Sequence, residues 1–218
     1  MIKRVSVAKA AGRAEVVMMK KWVVTMLAVA GLLFSGLAVA EGTVFDTAGH
    51  EKVSGIRILV TYPKGFDANE HMDGYVVQEF TRKSGALEEN LTLQLFDVDE
   101  EDAMTGFALP GAPSLEERLP YWKKPLEFLP TATIGDIRDA RVDGRPAVFT
   151  AVTMMPDGMY YLRMRTLNIY DNGKGMILTC SVSAPPEEKA AVDRMYEGST
   201  AAVCRAFFDS VKLLPEKR

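Results

Sequence analysis

The chain is poor in the side chains that most enzymes use for chemistry. Its 218 residues include two histidines and two cysteines. The cysteines, Cys180 and Cys204, are not spaced as Cys-x-x-Cys, which excludes a thioredoxin-type redox pair. No Gly-x-Ser-x-Gly marks a nucleophile elbow. There is no phosphate-binding glycine loop and no dinucleotide fingerprint. No internal repeat or low-complexity run occurs, which excludes solenoids and arrays. His50 and His71 both lie in polar, loop-like stretches, better suited to exposed side chains than to a metal pair. Five carboxylates crowd into Asp97-Val98-Asp99-Glu100-Glu101-Asp102, but a calcium loop needs glycine at its sixth place and glutamate at its twelfth. Asp102 and Ala108 stand there, so a solvated acidic stretch is expected. The sequence implies no cofactor, no metal and no catalytic residue.

What is present begins with an uncharged run. Trp22 to Ala40 carries no charge, follows Lys20-Lys21 and ends in Ala38-Val39-Ala40. A basic start, an apolar core and a small-x-small end make a secretory signal peptide, with cleavage expected between Ala40 and Glu41. No cysteine lies in this region, so no residue there could carry a lipid. The alternative is an uncleaved anchor, since about 20 apolar residues span a bilayer. Met18 or Met19 would open a conventional signal, and the true start is expected at one of them. The sequence then divides into a signal peptide over 1–40 and one globular domain over 41–218, with no membrane span once the signal is removed.

Removing the signal changes the charge. The whole chain has 26 basic and 29 acidic residues; residues 1–40 hold six and one, leaving 20 against 28, net −8 before histidine. That balance argues against nucleic acid or anionic lipid as the main partner. Export places the protein in the periplasm or outside the cell, where disulfides persist.

The C-terminal stretch shows how the two cysteines are placed. Met176, Leu178, Cys180 and Val182 alternate with Thr179, Ser181 and Ser183, which predicts a strand with one buried face. Pro185-Pro186 ends it, Glu187-Glu188 open a helix, and Gly198 separates a second one. Thr200, Val203, Cys204, Phe207, Phe208 and Val211 recur at helical spacing, so Cys204 faces the sheet. An even cysteine count in an exported chain favours a Cys180–Cys204 bridge, stabilising by about 3–4 kcal/mol.

Upstream, alternation predicts strands at Ile56 to Tyr62, Tyr75 to Thr81 and Leu91 to Val98, with one edge strand allowed in Thr43 to Ser54. Asp67 to Asp73 and Asp99 to Pro113 read as loops. Ser114-Leu115-Glu116-Glu117 matches a capping box. Leu115, Leu119, Trp122, Leu126 and Leu129 continue as a stripe that Pro120 and Pro125 should kink or split. Strands are expected at Ile134 to Val142, Ala147 to Met155 and Tyr160 to Tyr170, joined at Asp143-Gly144 and Pro156-Asp157-Gly158; Asp171-Asn172-Gly173 leads into the Met176 strand. In the Tyr160 strand the apolar face changes midway, which implies a bulge near Arg165 or cover on both faces. Arg163 and Arg165 share a face with Tyr161 and form a candidate anion site, or are ordinary exposed charges. Strands with short turns and grouped helices indicate α+β with an antiparallel meander.

Tyr62-Pro63-Lys64-Gly65-Phe66 closing a strand, long meander strands, and a last helix running into the Phe207 to Leu213 segment resemble the PsbP-like and DcrB-like group. The resemblance spans most of 56–214. It implies an antiparallel sheet covered by helices on both faces and an accessory or binding role. The leading function is therefore a noncatalytic exported accessory or binding protein with a protein partner in the cell envelope. A small exported hydrolase using His50 or His71, and an immunity or inhibitor protein directed at a secreted toxin, remain alternatives. The insertion over 106–130 supplies the candidate partner surface, with Phe107, Leu109, Tyr121 and Trp122 as its anchors; a stripe that simply covers the sheet is the alternative there.

Overall fold

The computed structural model describes residues 42–215, apart from 54, 70–73, 128 and 130. The expected signal peptide, the starts at Met18 or Met19, the cleavage point at Ala40 and Glu41, and His71 lie outside the described residues.

Among the described residues, ten strands and four α-helices follow one another. They are β1 (Gly42–Asp46), β2 (Ile56–Pro63), β3 (Asp67–Asn69), β4 (Val76–Ser84), β5 (Leu87–Asp97), α1 (Glu100–Gly106), α2 (Leu115–Lys123), β6 (Thr133–Val142), β7 (Arg145–Met154), β8 (Tyr161–Asp171), β9 (Lys174–Ala184), α3 (Lys189–Glu197), α4 (Ser199–Asp209) and β10 (Lys212–Pro215). They form an antiparallel seven-stranded sheet in the order β3-β4-β5-β9-β8-β7-β6, and a three-stranded sheet in the order β1-β2-β10.

The hairpins follow from local chemistry. Asp143-Gly144 and Asn172-Gly173 both hold two successive residues at positive φ (51° and 80°; 49° and 80°). That is the turn whose twist matches flanking strands. At the β9 start, Gly175 leaves room for the Phe96 and Val98 side chains, which a Cβ there would meet at 2.6 Å and force to shift.

Residues directly opposite one another across a ladder share a face. Arg165 stands opposite both Cys180 and Ala151, and Leu167 opposite both Leu178 and Phe149. On that face Phe80, Leu91, Leu93, Leu178 and Ile169 pack against Ile56, Ile58 and Val60 of β2 and against Cys204, Phe207 and Phe208 of α4 in one core. Tyr62 stacks on Phe80, with ring centroids 4.0 Å apart. α3 adds a smaller cluster of Val192 and Tyr196 with Tyr161 and Val182. α1 and α2 lie on the opposite face, where Phe107 meets Tyr170 and Arg118 binds Asp139. The sheet is thus covered by helices on both faces, in an α+β fold.

Several boundaries differ from expectation. The Ile56 strand and the Phe207 to Leu213 segment meet in the small sheet, where Leu213 stands opposite Ile58, rather than extending the large one. The stretch after Asp99 is a helix: Asp99 Oδ1 accepts from the Asp102 N–H at 2.8 Å, and Glu100, Glu101 and Asp102 occupy the first turn. Acidic side chains favour that end of a helix dipole. β8 has no bulge near Arg165, because its register with both neighbours is unbroken. The change of apolar face reflects cover on both sides. The irregularities fall instead between Val76 and Gln78 and between Ile134 and Asp136.

Candidate functional site

The bond between Cys180 and Cys204, with Cα atoms 5.5 Å apart, ties α4 to the middle of β9. The sheet continues beyond β9 through β8 and β7 to β6. α4 therefore leaves the outer part of that face uncovered, and the residues there are too small to fill the space. Ala140, Ala151 and Ala201 line it beside Phe149, Leu167 and Phe208. The result is a groove of about 870 Å³, with the sheet as floor and α4 as wall.

Its polar lining is mainly basic. Arg138, Arg141, Arg163, Arg165, Arg205 and Lys212 stand against Asp136, Asp143, Glu197 and Asp209. A net positive groove on a chain whose residues 41–218 are strongly acidic focuses potential toward anions. Arg163 and Arg165, which alternation had already placed together, lie under Tyr196 with guanidinium carbons 3.9 and 4.1 Å from its ring centroid. Arg163 bonds Asp193 at 3.2 Å and Glu197 at 2.8 Å. Arg165 reaches Glu197 only at 3.8 Å. The Arg163 Nε–H is buried without a partner. Arg138 lies 4.2 Å from the centroid of Phe149 and pairs with Asp136 at 3.0 Å.

Beside this end, the Tyr161 hydroxyl donates to Asp193 at 2.8 Å and Lys189 Nζ donates to Asp193 at 2.7 Å. Burial pushes the Asp193 carboxyl up, but the bonds from Lys189 and Tyr161 outweigh it and hold the pKa below its ordinary value. The bond to Asp193 raises Lys189 in turn. Burial pushes the Tyr196 hydroxyl up, keeping it a neutral platform for the two guanidiniums. The groove offers charge-assisted donors and aromatic faces, which suits holding an anion.

The other residues singled out by sequence fall elsewhere. Phe107 is only 3% exposed, packed at 5.6 Å against both Trp122 and Tyr170, so it supports the α1–α2 unit from beneath rather than forming its surface. Leu109, Tyr121 and Trp122 are half-buried. The Trp122 Nε1–H donates to the Gly106 carbonyl at 2.9 Å. These aromatics lie on the opposite sheet face from the groove. His50 accepts from the Lys52 N–H and meets Phe45 edge-on, contacts that hold a turn. Asp97 pairs with Lys174 at 2.6 Å, and among the described residues no cluster of three or more His, Cys, Asp or Glu could hold a metal. Sequence reasoning found Arg163 and Arg165 but missed Arg138, Phe149 and Phe208. The available signal was the alanines on the same sheet face, Ala140 and Ala151, which leave room where large apolar residues would close it.

No protein-family model matches the sequence, and no curated protein matches it. Solved structures do. The Ran-binding protein Mog1p of Saccharomyces cerevisiae is 9% identical, with a TM-score of 0.50 over 79% of this chain and 95% of that one. The fold is similar to that of Mog1p. Cyanobacterial PsbP from Synechocystis is 13% identical, TM-score 0.47, over 82% of this chain and 96% of that one. LpqN of Mycobacterium tuberculosis, involved in cell envelope biogenesis, is 14% identical, TM-score 0.48, over 81% and 95%. Among the described residues, no helix is long and apolar enough to cross a membrane.

Proposed function

We propose that this is an exported, noncatalytic binding or accessory protein of the cell envelope, and that the arginine-lined groove holds its anionic ligand or partner. The groove carries this reading. Its basic groups are mainly guanidiniums, three of them held against the rings of Tyr196 and Phe149, an arrangement suited to recognition rather than proton transfer. Export is supported by the uncharged Trp22 to Ala40 run and by a disulfide, which persists in oxidising compartments. The periplasm is the compartment proposed, with a mature chain beginning at Glu41. The half-buried Leu109, Tyr121 and Trp122, on the far face, are a separate surface available to a protein partner.

Native mass spectrometry of protein released by osmotic shock tests the proposal. Wild type should carry an added mass that Ala151→Trp, which fills the groove floor, lacks. Retention in the cytoplasm with free thiols, or the same added mass in the variant, would overturn it.

A further inference from the structure

We propose that β6 is a docking edge for a second copy of this chain, which joins the two large sheets across a two-fold axis at Ala140. The other strands at the margins of the two sheets are short: β3 has three residues, β1 five and β10 four, whereas β6 has ten. A long edge carries a row of unpaired backbone groups. The Asp143-Gly144 turn identifies them. A two-residue turn of this kind closes on a hydrogen-bonded pair, here Val142 with Arg145, and bonded pairs alternate along an antiparallel ladder. Ala140 and Arg138 therefore spend their N–H and C=O groups on β7, while Ile137, Asp139 and Arg141 point theirs away from the sheet. Pro146 fits this phase: its missing N–H falls on the β8 side, and the β7–β8 ladder ends at Ala147. No described residue bonds the outer groups.

The charges on β6 select both the partner and the register. A two-fold pair of antiparallel strands keeps each side chain on its own face, so the axis passes through a residue. An axis at Arg138 or at Asp139 would set like charges directly opposite each other. An axis at Ile137 would carry both copies into the irregularity between Ile134 and Asp136. An axis at Ala140 leaves both strands regular. It sets Asp139 opposite the partner's Arg141 on each side of the axis, and Arg138 opposite the partner's Val142. Arg141 is exposed, bonds the Gly144 carbonyl at 3.1 Å and makes no ion pair with a described residue. The Asp139 side chain remains 38% exposed beside its bond to Arg118. A foreign strand would have to reproduce this alternation of charge, which the chain's own edge already has.

The surface beside the edge is apolar. Leu115, Leu119 and Trp122 of α2, and Leu126 just after it, are only half-buried, although Arg118 among them is 1% exposed and ties α2 to Asp139. A stable interface buries roughly 1,200–2,000 Å² in total, more than one strand pair supplies, and this stripe is the further surface. The axis is normal to the sheet, so both α2 helices lie on one face of the joined sheet and both grooves on the other. Val142 lines the groove, so each groove gains the partner's Arg138.

Sedimentation equilibrium of the folded, disulfide-bonded domain should show a reversible monomer–dimer equilibrium. Arg141→Asp, which sets carboxylates against each other on both sides of the axis, should weaken the dimer at least about a hundredfold. Arg141→Pro removes an outer N–H and no bond to β7, and should weaken it at least about tenfold. Arg141→Lys should keep the dimer, and all three variants should retain the wild-type circular dichroism. Across the axis Ala140 forms a non-bonded pair, with Cα atoms about 4.5 Å apart, so Ala140→Cys should give an intermolecular disulfide on mild oxidation and Ile137→Cys should not. A monomer at every concentration, a dimer unaffected by Arg141→Asp, or crosslinking through Ile137→Cys in preference to Ala140→Cys would overturn the assignment. A domain that stays monomeric alone and pairs through β6 only with a different envelope protein would overturn the second copy as its occupant.

Discussion

Reducing the Cys180–Cys204 bond should destabilise the domain almost wholly through its unfolded state. Both residues are 1% exposed, so the freed thiols stay packed against the core as small apolar groups. The native contacts of α4 on β9 and β2 are then nearly unchanged. What changes is the unfolded chain, in which the bridge closes a loop across 24 residues of sequence. The chain-entropy relation gives about 3.5 kcal/mol at 25 °C for a loop of this length. In a domain of this size, about 2–4 °C of melting temperature goes with each kcal/mol, so the midpoint should fall by about 7–14 °C. Urea unfolding with and without phosphine reductant measures the difference. The denaturant slope should also rise on reduction, because an uncrosslinked unfolded chain exposes more surface. Coincident unfolding curves with and without reductant would refute the reasoning, as would two alkyl labels added to protein unfolded without reductant.

Arg118→Met should cost about 3 kcal/mol and render residues 107–130 sensitive to protease. The guanidinium is buried and serves the carbonyls of Pro113 and Gly106, each at 3.0 Å, and the Asp139 carboxylate at 2.8 Å, and its loss strands these acceptors under α2. Acid should weaken the seam between β1 and β2 in a defined window. The bond from Arg57, aided by the Ala48 N–H, lowers the Asp46 pKa from 3.8 to about 2. A depressed carboxylate pKa means that the stabilisation is complete above pH 3.8 and is lost as pH falls toward about 2. Asp46→Asn should remove that part of the acid sensitivity, and a carboxyl NMR titration of Asp46 with its midpoint near 4 would contradict the assignment.

Features written in neighbouring residues were the ones legible in the sequence. Ser114 and Glu117 make the reciprocal capping bonds that their spacing announces, with the Glu117 carboxylate accepting from the Ser114 N–H at 2.9 Å. Asp143-Gly144 turns a hairpin because its first residue tolerates positive φ and its second has no Cβ. The α4 stripe placed Cys204 beside Phe207 before any contact was known. Alternation, however, reports that a strand has a buried face and not which strand lies beside it. β2 therefore read as part of the large sheet, and its partner β10, where Leu213 stands opposite Ile58, did not read as a strand at all. The seven-residue α1 was hidden because its acidic first turn resembles a solvated loop. Half of the groove was visible in Arg163 and Arg165. The other half depends on where α4 stops across the sheet, which the disulfide position and the three strands beyond β9 decide together.

The most direct test of the groove is a chemical-shift map of the isotope-labelled domain titrated with sodium phosphate. The account predicts saturable shifts at Phe149, Ala151, Arg165, Leu167 and Phe208, with Tyr121, Trp122 and the opposite-face Thr92, Thr166 and Thr179 unmoved. Shifts centred on Trp122 or on that threonine row, with Ala151 and Arg165 silent, would contradict it.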